Sequence, residues 1–190
     1  MNRGSDAAEI VLDEPQIEAI LAVWREVIGV DYAGYRGHVY RVFNVCLRLR
    51  DCDDDARRKL AIALAFHDLG LWSARTIDYL PPSEALAVAW LERNGLEAWR
   101  EEIALMIRMH HRVRPWRDPA TPLVETMRRA DLVDFSRSLY VPFFCAGLPR
   151  RVLRELSAAI PNAGFRRFLL RTGRDWFAHH PLRLPPFLRW

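Results

Sequence analysis

The sequence predicts an all-α fold, arranged as one helical bundle, and three of its properties support this. Apolar residues recur at three- and four-residue spacings along nearly the whole chain, and no stretch alternates convincingly between apolar and polar residues. Glycines and prolines fall between the periodic stretches, where they end helices. About half of the 190 residues are apolar, which is enough for one substantial core. We therefore expect a single domain over residues 1–190, with its core at about 30–140 and C-terminal helices at 149–178 packed on it.

The helix boundaries follow from capping residues, glycines and prolines. Asp13 is the expected N-cap of the first helix, with Gln16 in the capping-box position. The acidic run at 51–55 opens the third helix, where negative charge suits the positive end of the helix dipole. Prolines keep the C-terminal tail irregular. The predicted helices are about 13–28, Tyr35–Arg50, 51–70, Ser83–Gly95, Ala98–His111, Leu123–Ser136, Pro149–Ile160 and Gly164–Ala178.

The composition argues against several classes of protein. The cysteines, Cys46, Cys52 and Cys145, are odd in number and lack paired spacing, which argues against a disulfide framework. The N-terminal residues contain no apolar signal-peptide core and no apolar stretch reaches the length of a membrane span, so we expect a cytoplasmic protein with no membrane partner. The net charge of +4 comes almost wholly from arginine, but charges of both signs are interspersed and do not indicate nucleic-acid binding.

Four polar residues stand out because they lie on apolar faces of three predicted helices. His38 and Asp131 have apolar residues one helical turn away on the same face, and the adjacent pair His67 and Asp68 follows directly on the run LAIALAF. A buried carboxylate is costly unless it is paired or bound to a cation. Three helices therefore direct nitrogen and oxygen ligands inward.

These ligand types predict a divalent metal site. Imidazole and carboxylate without thiolate suit Mn, Fe, Co, Ni or Zn, and open coordination positions on such an ion can activate water. These residues also have ordinary structural explanations. His38 would be a core histidine bonded to a carbonyl, and Asp131 and Asp134 would form salt bridges with an arginine such as Arg128. The expected metal ligands are His38, His67, Asp68 and Asp131.

The order of these residues resembles the HD superfamily of metal-dependent phosphohydrolases. A histidine, an adjacent His-Asp pair and a later aspartate follow one another, with 29 residues from His38 to His67 and 63 from Asp68 to Asp131. The resemblance covers about residues 30–140 and lies in GYRGHVYRV, ALAFHDLGLW, IRMHHRVRP and RRADLVD. It implies an all-helical HD domain, a bound divalent metal and, in most members, hydrolysis of phosphate esters.

The chain departs from the HD pattern in two places. Many nucleotidases of this superfamily have an acidic residue shortly after the His-Asp pair, whereas Leu69–Trp72 follows here. Two-metal members use two further histidines from separate helices, but His110 and His111 are adjacent, about 100° apart on a helix. This spacing favours one metal ion.

The expected activity is hydrolysis of a small phosphorylated or nucleotide substrate by a metal-activated water. We expect Asp68 to hold that water as well as the metal. His110 or His111 would orient the water or give a proton to the leaving group. The alternative is that one of these histidines is structural and the other solvated.

Two predicted loops contain the expected substrate-binding residues. An anionic substrate would enter between Leu71–Pro82 and Val113–Pro122, because arginine can clamp a phosphate and an indole can cover a pocket. The substrate-binding residues expected there are Arg75, Arg114 and Trp72.

Two other functions fit the same residues. HD folds also include hydratases of small neutral nitriles such as cyanamide, which a small closed pocket without basic lining would favour. A non-catalytic metal-binding sensor or scaffold would be favoured by a site with no open coordination position.

Overall fold

The structure is a computed structural model that describes residues 9–138, 146–183 and 185. All regular secondary structure in these ranges is helical, which confirms the predicted all-α fold. None of the helices in the described ranges is both long enough and apolar enough to cross a membrane. Cys46 and Cys52 are free thiols, and Cys145 lies outside the described residues.

The helices lie close to their predicted positions, with informative differences at their ends. The first helix follows Glu14 rather than Asp13, with no side-chain cap. The helix predicted over 51–70 ends before Gly70, and a short helix occupies part of the loop predicted at Leu71–Pro82. The helix predicted to begin at Ser83 begins earlier in the structure, so two prolines lie in its first turn, where proline costs no hydrogen bond. The helices are α1 (Pro15–Ile28), α2 (Tyr32–Leu49), α3 (Asp54–Phe66), α4 (Gly70–Ser73), α5 (Leu80–Arg93), α6 (Arg100–Met109), α7 (Pro122–Ser138), α8 (Arg150–Ala159) and α9 (Ala163–His179).

Helix α2 runs through the middle of the bundle. Every residue from Gly37 to Cys46 is buried, so this length of the helix has no solvent face. It packs against α3, α7 and α9, while α3 also contacts α1, α5 and α6. The buried part of α2 includes His38 and Arg41, and polar side chains in such a position need partners inside the protein.

The C-terminal end of α3 is attached to α2 by Tyr35. The Tyr35 hydroxyl donates to the Ala65 carbonyl at 3.1 Å and accepts from the Asp68 backbone N–H at 3.4 Å. The last carbonyls of a helix have no partner within it, so this contact satisfies one of them. It also fixes the point at which His67 and Asp68 leave the helix.

Helices α2 and α9 approach each other through two glycines. A Cβ on Gly34 would lie 2.8 Å from the carbonyl carbon of Gly164, and one on Gly164 would lie 3.0 Å from the Gly34 Cα. The two backbones can be this close only because neither residue has a side chain. The contact brings Phe165 onto the ring of His38, with ring centroids 3.9 Å apart and an interplanar angle of 7°.

Gly34→Ala is expected to lower the free energy of unfolding by about 1–3 kcal/mol, because the added methyl group meets backbone that cannot rotate away. The matched control is Gly173→Ala on α9, where an added Cβ meets nothing within 4 Å. That variant should be neutral or more stable by up to about 1 kcal/mol, since alanine favours a helix interior. Chemical denaturation measures both, and unchanged stability of Gly34→Ala would contradict the close contact of α2 and α9.

Candidate metal centre

The structure brings the four predicted ligands together. The Nε2 atoms of His38 and His67 lie 3.0 Å apart. His38 Nε2 lies 3.3 Å from Asp131 Oδ1, and His67 Nε2 lies 3.2 Å from Asp68 Oδ2. All four side chains are buried, and the ligand atoms of His38, His67 and Asp68 could hold a metal ion. The convergence of α2, the end of α3 and α7 is the arrangement that the sequence predicted.

The other ring nitrogen of each histidine faces an acceptor. His67 Nδ1 lies 2.7 Å from the Leu64 carbonyl, and His38 Nδ1 lies 2.8 Å from Asp134 Oδ2. Each Nδ1 must carry the proton to make these bonds, which leaves Nε2 as the nitrogen with the lone pair in the neutral ring. This is the hydrogen-bonding pattern by which proteins orient histidines that bind metals.

Two lone pairs that face each other at 3.0 Å repel unless a cation lies with them. Burial lowers the pKa of His38, but Asp131 and Asp134 outweigh it and raise that pKa to about 9. Burial raises the pKa of Asp68 and of Asp131, but the neighbouring histidines outweigh it and lower both. The cluster therefore attracts positive charge, which a proton on His38 or a metal ion can supply.

Polar atoms without partners mark the same place. Among the residues that the structure describes, Asp68 Oδ1, His110 Nε2 and Asp131 Oδ2 are buried and have no hydrogen-bond partner. Buried polar atoms of this kind are rare and costly, and a bound ion is one of their standard explanations. The donor set thus fits a divalent cation with nitrogen and oxygen ligands.

Asp134 connects the histidine of α2 to a buried arginine. Arg41 Nε donates to Asp134 Oδ1 at 2.6 Å, and Arg41 Nη2 donates to Asp134 Oδ2 at 3.0 Å. The arginine offered from the sequence, Arg128, instead pairs with Glu125 at 2.7 Å. The sequence did contain a signal for the true pair, because Arg41 stands three residues after His38, as Asp134 does after Asp131.

His110 and His111 also reach the cluster. Both lie with Asp68 in a second group whose ligand atoms could hold a metal ion. The 100° separation expected for adjacent helical residues does not apply here, because α6 ends at Met109 and the two rings project from a turn. His110 Nε2 lies 3.5 Å from Asp68 Oδ1, and His111 Nδ1 lies 3.7 Å from Asp131 Oδ2.

The hydroxyl of Tyr79 belongs to the site, and no pattern in the sequence predicted it there. Its buried hydroxyl is hydrogen-bonded to His111 Nε2. Burial and the neighbouring His110 lower the pKa of His111 to about 3, so the ring is neutral near pH 7. Tyr79 is adjacent to the start of α5, and its contact depends on the path of the preceding loop, which no local pattern specifies.

A cavity of about 450 Å³ opens beside the cluster. His38, Asp68, His111 and Asp131 form its polar end. The predicted loop at 71–82 contributes to its wall as expected, through residues that include Leu71, Ile77 and Tyr79. The opposite wall comes from α9 and not from the predicted loop at 113–122, which contributes no described lining residue.

The expected substrate-binding residues lie away from this cavity. Trp72 stacks between Tyr35 and Phe168, at centroid distances of 4.8 Å from each ring. Arg75 borders a separate shallow depression with Trp72, and Arg114 is exposed. None of the three lines the cavity beside the cluster among the described residues, so their roles in substrate binding stay predictions.

Helix α9 was missed as part of the site. Its residues Phe165, Phe168, Leu169, Thr172 and Gly173 line the cavity. Their spacing of three and four residues places them on one face of the helix, and this signal was present in the sequence.

Comparison of the chain with known protein families, with curated proteins and with solved structures finds no match. The resemblance to the HD superfamily therefore rests on the histidine and aspartate residues described above.

Asp134→Asn is expected to lower the free energy of unfolding by about 3–5 kcal/mol, because it leaves the buried Arg41 charge without a counter-charge. Asparagine has nearly the same shape, so the effect reports charge. The matched control is Glu92→Gln, which removes an exposed partner of Arg100 and should change stability by less than about 1 kcal/mol.

The same pair predicts a pH dependence. Burial raises the pKa of Asp134, but Arg41 and His38 outweigh it and hold it at about 2. Because the folded pKa is depressed, this stabilisation is present above the ordinary value of about 4 and is lost as pH falls towards 2. The stability difference between wild type and Asp134→Asn should therefore narrow below about pH 4. A constant difference across that range would contradict the assignment.

Proposed function

We propose that this chain is a metal-dependent hydrolase of the HD type that cleaves a small phosphorylated substrate with water. The observation that supports this most directly is the convergence of two imidazole Nε2 atoms and two carboxylates, with each Nδ1 already occupied by an acceptor. The cavity reaches His38, Asp68 and Asp131 of this group, so a substrate and a water molecule have access to them. The ligands proposed are His38, His67, Asp68 and Asp131.

The balance of buried charge favours one divalent ion. Asp68 and Asp131 supply two negative charges, and Asp134 is already balanced by Arg41. One divalent cation makes this set neutral, whereas a second would leave two uncompensated positive charges in the interior, which is strongly unfavourable. His110 and His111 then interact with the substrate and its protons, and they do not bind a second ion.

A divalent cation at this position would supply Lewis acidity towards a phosphoryl oxygen and would lower the pKa of a bound water. Asp68 keeps one oxygen, Oδ1, without a hydrogen-bond partner among the described residues, so it can accept a hydrogen bond from the attacking water and orient it. His111 and Tyr79 are hydrogen-bonded to each other on the cavity wall and can donate a hydrogen bond to the leaving group.

A hydratase acting on a neutral substrate is the second candidate. The mainly apolar walls of the cavity favour it, because Arg174 is the one positively charged side chain among the described lining residues and is paired with Asp175. The volume of about 450 Å³ argues against a substrate as small as cyanamide, which would leave most of the space empty. If no substrate class is turned over, a metal-binding sensor or scaffold becomes the leading candidate.

Purified protein is expected to contain one divalent ion per chain, because two carboxylates balance one such charge. His67→Ala should lose this ion, whereas His110→Ala should keep it. The control for the change itself is His179→Ala, an exposed histidine on α9. Elemental analysis after dialysis decides the number, and two ions in the wild type with one in His110→Ala would contradict the proposal of a single ion.

Asp68→Asn is expected to lower turnover by more than about 100-fold while the fold is retained, because it removes a ligand charge and the proposed acceptor for the attacking water. Asp51→Asn, at an exposed carboxylate before α3, is the matched control and should keep full activity. Mn, Co, Ni and Zn are screened against phosphodiesters, nucleotides and cyanamide, and circular dichroism checks the fold. Undiminished turnover by Asp68→Asn, or turnover of cyanamide alone, would overturn the proposed phosphohydrolase.

A further inference from the structure

The cavity beside the proposed metal centre has a few polar lining residues and a mainly apolar lining otherwise. Three of the proposed ligands, His38, Asp68 and Asp131, line it together with His111, and most other lining side chains are aliphatic or aromatic. The aromatic rings come from two helices, since Phe135 lies on α7 and Phe165, Phe168 and Phe177 lie on α9. A substrate in this space has its reacting group at one end and is surrounded by apolar side chains beyond it.

The walls offer almost no positive charge. Arg174 is the one arginine or lysine among the described lining residues, and it is largely exposed and paired with Asp175 at 3.1 Å. A polyphosphate or a second charged group would lose its hydration in this cavity without gaining donors in return, which is unfavourable. An apolar group placed there gains the hydrophobic contribution of burial.

The cavity is also larger than the reacting group requires. Its volume of about 450 Å³ falls within the range of small-molecule sites, which is about 300–1,000 Å³. A phosphate group at the ligands leaves most of this space for the rest of the substrate.

Gly173 keeps the wall formed by α9 open. It lies inside α9, where glycine is less favourable than other residues for helix stability. Its backbone conformation is ordinary, and an added Cβ would meet nothing within 4 Å. Neither backbone strain nor a close contact explains a glycine at this position. Its effect on the site is the space that it leaves in the lining of the cavity.

We propose that the cavity binds an extended apolar group of the substrate, and that Gly173 sets the size of the group that fits. The placement of the reacting group at the metal ligands rests on the proposed function, whereas the binding of the apolar group does not. The substrate class is then an amphipathic molecule with one reacting polar group and an alkyl or aryl group, and not a nucleoside polyphosphate.

Two series of ligands test this without turnover. Methyl-, butyl- and octylphosphonate carry a non-hydrolysable anionic group, and 1-butanol and 1-octanol carry none. Calorimetry with the metal-loaded protein should show affinity rising in both series by up to about fourfold per methylene, as expected for burial of about 0.8 kcal/mol each. Affinity that does not change with chain length in either series would overturn the inference.

Gly173→Leu is the matched variant, because Gly173 lines the cavity and is not one of the proposed metal ligands. It should weaken the binding of octylphosphonate and 1-octanol at least tenfold and leave the affinity for methylphosphonate unchanged. Ala178→Leu, at an exposed position on the same helix, should leave all affinities unchanged. If Gly173→Leu disturbs α9, Gly173→Ala takes its place in the test. It adds a single methyl group and should cause a smaller loss of affinity for the same two ligands.

The two hypotheses fail in different ways. Equal affinity for octylphosphonate and 1-octanol, with no turnover, would contradict the proposed phosphohydrolase and leave the apolar site intact. Octylphosphonate binding that is the same in wild type, Gly173→Leu and Gly173→Ala would show that the chain lies elsewhere and would overturn the inference.

Discussion

The negative charge of Asp68 and Asp131 inside a helical bundle is the constraint on which the rest of this structure depends. Both side chains are buried, and carboxylates in an apolar interior require compensating positive charge. Arg41, a buried arginine near them, is already bonded to Asp134. The histidines therefore determine what compensates the two aspartates, and their ring nitrogens are arranged so that a shared cation can do so.

This constraint explains the order of the packing around the site. α2 must be buried on all sides to bring His38 to the carboxylates, and α3 must end where His67 and Asp68 can reach it. Tyr35 connects these two requirements, because its hydroxyl contacts both the last turn of α3 and the Asp68 backbone. The fold is thus organised around one small polar volume, and the apolar core surrounds it.

The sequence predicted the parts of this site that depend on helical periodicity. His38, the pair His67 and Asp68, and Asp131 could be identified because a polar residue on an apolar face is visible within one helix. Partners that depend on the relative position of two helices could not be identified in the same way. The sequence offered Arg128 as the partner of the aspartates on α7, whereas the packing of α2 against α7 brings Arg41 to Asp134. The contact of Tyr79 with His111 depends similarly on the course of a loop, and the role of α9 depends on which of its two faces is turned inward.

The glycine contact between α2 and α9 has a mechanical consequence. Because the backbones touch at Gly34 and Gly164, and Phe165 lies flat on the His38 imidazole, the N-terminal end of α9 is coupled to a proposed metal ligand. Lifting that end would separate a stacked pair and disturb the histidine, so it is a poor place for the cavity to open. Among the residues that the structure describes, the C-terminal end of the helix, with Phe177 about half exposed, makes no comparable contact with the proposed ligands. Any breathing motion that admits a molecule should therefore pivot about the glycines, with the far end of α9 travelling most.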